Sequence, residues 1–340
     1  LCHARPCRGK QVRSSSAPLS PGRDDGGAGC RHRPLDPRRL GGPGRASSRP
    51  HRQPYPRGRV EGRQAPHRRH AGADARPGKG RTAQARLWAY VVDDRASGAA
   101  TPALAWYRFT PDRSGIHPQS ELGPFTGLLQ ADGYAGYEKL YQGNRIQEVA
   151  CWAHFRRKIF ECHQTSPTPL TTDLLTRIAG LYRIEEDVRG QPPDVRRAHR
   201  QQQARPQIDA LRGAIDDALR RLSPKSAMAK ALAYGRKRWD ALTRYTGEGI
   251  AEIDNNIAER AIRAIAIGRK NWLFAGSKTG GERAAAIYSV IETAKLNGVE
   301  PQAYIADVIE KIASGWPASR WDELMPWNWT AQSTPVSMAA

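Results

Sequence analysis

Two carboxylates stand where a rigid backbone element would hold them. In Gln130-Ala131-Asp132-Gly133-Tyr134, Asp132 follows a short apolar run, Gly127 to Ala131, and so sits at a strand terminus. The second is Glu259, in Ile253-Asp254-Asn255-Asn256-Ile257-Ala258-Glu259-Arg260-Ala261-Ile262-Arg263. There Asp and Asn open a helix by offering oxygens to its free N–H groups, and Asn255, Glu259 and Arg263 recur one turn apart. Carboxylate oxygens held rigidly, with open water positions, are what a hard cation such as Mg²⁺ requires. Each residue also has a plainer reading. An Asp before Gly is ordinarily a turn former, and Glu259 with Arg263 could be a surface ion pair worth about 0.2–0.5 kcal/mol.

Basic and aromatic residues follow the second motif. Gly268-Arg269-Lys270-Asn271-Trp272-Leu273-Phe274 combines cations for phosphates with rings for base stacking. Arg260, Arg263, Arg269, Lys270 and Trp272 are therefore the candidate DNA contacts. Cys151-Trp152-Ala153-His154 with Cys162-His163 suggests zinc, but the spacing fits no standard ligand set. Helix packing beside a basic face, Arg156, Arg157 and Lys158, is the better account.

The elements that must position these groups are legible in outline. Arg86 to Val92 and Ala103 to Phe109 are aromatic, β-branched runs ended by polar turns, so an antiparallel pair is expected. Ile146 to Cys151 reads as a further strand leading into a helix. Leu174, Ile178, Leu181 and Ile184, then Ile208, Leu211, Ile215 and Leu219, keep a three-to-four residue spacing that marks amphipathic helices. This middle part reads as scaffold rather than chemistry. Arg283 to Leu296 and Gln302 to Ile312 are closing helices, with Asn297-Gly298 as a stop between them.

Charge is unevenly spread. The chain has 340 residues with 54 Lys and Arg against 33 Asp and Glu; the first 80 hold 19 and five of these, which leaves 35 and 28 for the remainder. A basic balance points to a polyanionic partner, because Lys and Arg neutralise phosphates and release counterions. Five cysteines are too few for a disulfide scaffold and fit a reducing compartment. No run approaches the ~20 apolar residues of a membrane span and no signal-peptide core is visible, so a cytoplasmic protein without a membrane partner is expected. Residues 1–80 lack periodicity and large apolar groups, and cannot bury enough surface to offset chain entropy. They read either as a disordered basic arm gripping DNA or as the Arg-, Ala-, Gly- and Pro-rich product of a GC-rich gene read out of frame.

Taken together, these residues resemble the insertion sequence 66 family of transposases. The matching segments are Arg86 to Val91, Gln130 to Tyr134, Cys151 to His154, Asp254 to Arg260, Gly268 to Gly276 and Glu292 to Gly298, in the family's order over about residues 81–330. The resemblance implies an α/β fold: a ribonuclease-H-like core with a mostly helical insertion and a helical C-terminal segment. It also implies two Asp and one Glu holding two Mg²⁺ (or Mn²⁺) ions for DNA strand cleavage and transfer. Asp132 matches the second carboxylate and Glu259 the third, with Asn255, Asn256 and His154 as possible support. The DNA partner would be transposon ends and target, with a homo-oligomer on DNA and accessory proteins of the same element as further partners. The expected division is 1–80 as a disordered basic region, 81–154 as the first part of the core, 155–250 as a helical insertion, 251–280 as the Glu-bearing helix with the basic/aromatic segment, and 281–340 as the C-terminal helical segment and tail.

The family's first Asp lies in a motif of the kind His-Thr/Ala-Asp-Asp/Glu-Thr-Pro-Val before the Trp88 strand, and residues 60–85 contain none. Back-translating Gln64 to Ala75 and reading one nucleotide later can encode Lys-Leu-His-Thr-Asp-Asp-Thr-Pro-Val-Pro-Met, the missing motif. Residues up to about Arg76 are therefore expected to be out of frame, and the chain to be an inactive copy; a non-catalytic DNA-binding remnant using the basic arm is the alternative. Asp93 and Asp94 read as turn residues rather than substitutes.

Overall fold

The computed structural model describes residues 58–64, 73–75, 82–268, 275 and 277–330. Its strands are β1 (Gly58–Gln64), β2 (Ala73–Ala75), β3 (Thr82–Gln84), β4 (Arg86–Val92), β5 (Leu104–Thr110), β6 (Gly127–Ala131) and β7 (Ile146–Ala150). Five of them form one sheet in the order β5-β4-β1-β6-β7, and β2 pairs with β3 alone. β4 runs antiparallel to β1 and β5, as the two adjacent aromatic runs predict, whereas β6 is parallel to β1 and β7. The β6–β7 crossover carries α1's successor, a short helix: α1 (Ile116–Glu121) precedes β6, and α2 (Glu138–Tyr141) lies between β6 and β7.

Side chains alternate across the strands, so each strand contributes to two cores. Trp88, Tyr90 and Val92 pack with Leu122, Phe125, Leu129, Tyr137 and Leu140 on the crossover face. Ala89, Val91, Ala105 and Tyr107 face the other way, against α9 (Asn256–Gly268) and α10 (Lys278–Leu296). Between β7 and α9 come α3 (Trp152–Thr165), α4 (Pro169–Asp187), α5 (Pro193–His199), α6 (Arg205–Arg221), α7 (Ala227–Lys237) and α8 (Trp239–Thr243). The apolar positions expected to line these helices, Leu174, Ile178, Leu181, Ile208, Leu211 and Ile215, are buried in one cluster that also holds Leu128 and Val149 of the sheet. The helices thus share a core with β6 and β7. Within it, the buried Arg200 forks onto Glu185 at 2.8 and 2.5 Å and donates to the Tyr245 carbonyl at 3.0 Å.

α10, followed by α11 (Pro301–Ala313), settles the fate of the exposed edge at β5. Thr293 Oγ1 accepts from Ala105 N at 3.1 Å and donates to Ala105 O at 2.9 Å. Ser289 Oγ accepts from Tyr107 N at 2.8 Å, and Asn297 Nδ2 donates to Ala103 O at 2.7 Å. Four residues of helix rise about 6 Å and two residues of strand about 6.8 Å, so a polar side chain every fourth helical position meets every second strand residue. An edge that would otherwise offer unpaired backbone groups is closed by side chains. Close approach needs small residues: a Cβ on Gly281 would stand 2.4 Å from the Phe109 ring.

Within the stretch expected to be a disordered basic region, Gly58–Gln64 occupies the middle of the sheet and Ala73–Ala75 pairs with β3, while residues 1–57, 65–72 and 76–81 lie outside the described residues. A central strand has ladder bonds on both sides, but between two covered faces it is ordinarily apolar as well, and nothing in this segment's residue types marks it as one. Such a segment leaves no periodic signature in Gly-Arg-Val-Glu-Gly-Arg-Gln.

Candidate active site

Asp132 immediately follows β6, at the end of the strand where the sheet meets the helices, as its sequence context predicts. Its Oδ1 accepts from Tyr134 N at 3.3 Å, and Gly133 takes the left-handed φ of 77° that the turn requires. Asp132 thus acts as a turn former, and one bond to Oδ1 leaves lone pairs on both carboxylate oxygens.

β7 lies beside β6 in register, Ala131 opposite Ala150, so Asp132 and Cys151 occupy equivalent positions at the two strand ends. Cys151 is the N-terminal flank of α3 and is buried. Its thiol accepts from the backbone N–H groups of Asn255 and His154, and burial pushes its pKa up to about 12, as for a packed structural thiol. Cys162 lies three turns further along α3, and among the described residues no cluster of three or more His, Cys, Asp or Glu is arranged to hold a metal ion.

The chain returns to this end of the sheet through residues 252–255. Gln130, fully buried on β6, donates to Glu252 O at 2.9 Å, and Trp152 N donates to Ile253 O at 3.1 Å. Asp254 then accepts from Asn256 N at 3.1 Å and Asn256 Nδ2 at 2.7 Å, and burial raises its pKa. Asn255 is fully buried with neither side-chain polar atom hydrogen-bonded among the described residues, while Asn256 is exposed. Glu259, in the first turn of α9, is met from α3 by His154 Nε2 at 3.3 Å and by Arg157 Nη2 at 3.9 Å. Among the described residues Glu259 makes no ion pair with Arg263; His154 and Arg157 approach it from α3.

Two carboxylate-bearing elements are thus delivered to one end of the sheet, with His154 joined to Glu259 and Asn255 buried one turn before it. Arg260 and Arg263 are exposed on α9, where phosphate oxygens could reach them. Arg269, Lys270 and Trp272 lie outside the described residues. Both oxygens of Asp93 accept from Arg95, at 2.8 and 2.6 Å, as suits a turn residue. Arg157 was visible in the sequence only as part of a basic run; that it reaches Glu259 depends on how α3 crosses α9.

Hard oxygen donors at Asp132 and Glu259 suit a divalent cation such as Mg²⁺, which is commonly held by one or two carboxylates with water and phosphate completing its shell. A pair of ions needs a further bridging carboxylate. Register places Arg63 and Gln64 next along β1 after Gly62, which pairs with Ala131, and the one acidic residue of β1 is Glu61, opposite Gln130.

Comparison with known proteins agrees with the motif pattern. The model of the Transposase IS66 family matches residues 71–283, and that of the IS66 C-terminal element matches residues 289–327. The chain is 39% identical over 259 residues to the uncharacterized protein y4qI of Sinorhizobium fredii (strain NBRC 101917 / NGR234), covering 74% of this chain and 48% of that protein. It is 36% identical over 262 residues to y4jD of the same strain, covering 75% and 51%, and 35% identical over 271 residues to y4hP, covering 75% and 49%. The chain therefore spans about half the length of these relatives. No solved structure matches. Both carboxylate motifs fall inside the first family match and the edge-closing Ser289, Thr293 and Asn297 inside the second, and on these matches the chain belongs to the Transposase IS66 family.

Proposed function

We propose that this chain is the catalytic portion of a DNA transposase whose chemistry is metal-dependent strand cleavage and strand transfer, and that as it stands it is catalytically inactive. The observation that carries the second part is the composition of β1: the strand beside Asp132 has no Asp, and the positions next along it are Arg63 and Gln64. The antiparallel β4–β5 pair followed by the parallel β6–β7 pair, with α9 and α10 packed on one face, supports the ribonuclease-H-like reading. Under that reading residues 81–154 open the core, 155–250 are the insertion, 251–280 carry Glu259 and the basic/aromatic segment, and 281–340 close the chain.

In an intact site, bound Mg²⁺ or Mn²⁺ ions would activate the attacking oxygen and stabilise the leaving one. Asp132 and Glu259 would hold them, His154 and Arg157 would orient Glu259, and Arg260 and Arg263, with Arg269, Lys270 and Trp272, would grip DNA. With one carboxylate missing, this chain holds at most one ion and binds DNA without cutting it. Transposon ends, target DNA, a second copy of the chain and accessory proteins of the element are the partners this function requires. No helix among the described residues is long and apolar enough to cross a membrane.

The test is a one-nucleotide repair of the reading frame ahead of Lys79, assayed on DNA carrying the element's ends. Mg²⁺-dependent cleavage in the repaired protein and none in this chain is the expected pair of results. Cleavage by this chain that is lost in Glu259→Gln would disprove inactivity; no cleavage by either protein would disprove the frame reading.

A further inference from the structure

The segment between β7 and α9 reads from sequence as scaffold, but at one point it reaches the turn that carries Asp132. Arg238, between α7 and α8, is largely buried, with 17% of its side chain exposed. Its Nη1 donates to the carbonyl of Gly133 at 3.1 Å, and its Nη2 pairs with Glu148 on β7. Tyr234 presents its ring 5.9 Å from the guanidinium carbon. Arg244 binds the same strand, donating to Glu148 O at 2.6 Å.

The fork geometry matters here. Asp132 lies one residue beyond the last ladder pair of β6, and the long Tyr134 N contact is its own local restraint. Strand ends without ladder bonds open readily. A planar guanidinium that grips the turn with one arm and the neighbouring strand with the other fixes the offset between them, which an ammonium cannot do. Gly133 fits the arrangement from the other side: at φ 77° a Cβ would stand 2.5 Å from Arg238 Nη1. Because Glu148 balances the charge, the clasp adds little net repulsion towards a cation at Asp132.

We propose that Arg238 is a positioning residue for Asp132, holding its turn in the geometry that a metal ion requires. The inference rests on the reading of Asp132 as a metal-holding carboxylate. It predicts that residues far from the sheet in sequence set the affinity of the site, as outer partners of metal ligands commonly do by about 10- to 100-fold.

The experiment compares the full chain with Arg238→Gln, Arg238→Lys, Asp132→Asn and Glu259→Gln. Mn²⁺ binding is followed by electron paramagnetic resonance titration, and amide hydrogen exchange is followed across residues 130–137 and across α4 and α6. Arg238→Gln should weaken Mn²⁺ binding roughly tenfold and speed exchange in 132–135 while leaving α4 and α6 protected; Arg238→Lys should not rescue either. Mn²⁺ binding that depends on Asp132 but is untouched in Arg238→Gln would overturn the positioning role alone. Exchange that rises equally in α4 and α6 would overturn it too, by making Arg238 a docking residue. Absence of Asp132-dependent Mn²⁺ binding would sink the reading of Asp132 and this inference with it.

Discussion

Replacing Thr293 with Val removes one hydroxyl and keeps nearly the same volume, so it isolates the closure of the sheet edge. Thr293 is 3% exposed, and its hydroxyl serves both backbone groups of Ala105. Because those groups bond outward to Thr293, they point away from β4, and no ladder bond replaces the lost ones. A buried donor and a buried acceptor left unsatisfied cost about 1–3 kcal/mol each, with the carbonyl at the low end, so a loss of roughly 2–4 kcal/mol is expected. Urea unfolding monitored by circular dichroism measures it, and the thermal midpoint should fall by about 5–12 °C for a folded region of this size. Thr293→Ser keeps the hydroxyl and should cost about 1 kcal/mol for the missing methyl. If Thr293→Val falls within about 0.5 kcal/mol of the unmodified chain, water or a backbone shift satisfies Ala105 and the edge-closure argument fails.

Three further outcomes follow from other parts of the structure. Arg200→Met leaves the buried Glu185 with only the longer Arg196 contact, at 3.6 Å, and should destabilise by about 3–5 kcal/mol, with part of that recovered in Arg200→Met/Glu185→Leu; equal damage in single and double variants would show that the loss is packing rather than lost charge pairing. Asp254 is raised from its usual 3.8 by burial, so its contribution to stability is full below the unfolded pKa and is lost as pH rises through the folded one. Melting curves from about pH 4 to 7 should therefore show the unmodified chain losing stability relative to Asp254→Asn as pH rises, and a constant gap would contradict the burial of that carboxyl. Arg260→Ala/Arg263→Ala should lower the slope of log affinity for duplex DNA against log salt by about 0.9 for each phosphate contact removed; an unchanged slope would take α9 out of the DNA interface.

How much of this was written in the sequence differs from element to element. β4 was legible because a strand buried along most of its length is forced to be apolar, β5 because one buried face alternates with a partly exposed one, and α4, α6 and α9 because a stripe every three to four residues is forced by a helix with one buried side. Asp132 and Glu259 stood out because their neighbours, Gly133 on one side and Asp254 to Asn256 on the other, are the residue types that end a strand and start a helix. β1 was not legible, since Gly-Arg-Val-Glu-Gly-Arg-Gln has neither the apolar run nor the alternation that marks a strand between two covered faces. Nor could the sequence say that Ser289, Thr293 and Asn297 close an edge, for polar residues four apart read equally well as a solvated face. The meeting of His154 and Arg157 with Glu259, and of Arg238 with the carbonyl after Asp132 across 105 positions, depends on where helices cross. Periodicity records which side of an element is buried. It carries no information about which distant element lies against it, and that choice is made only when the cores on the two faces of the sheet pack.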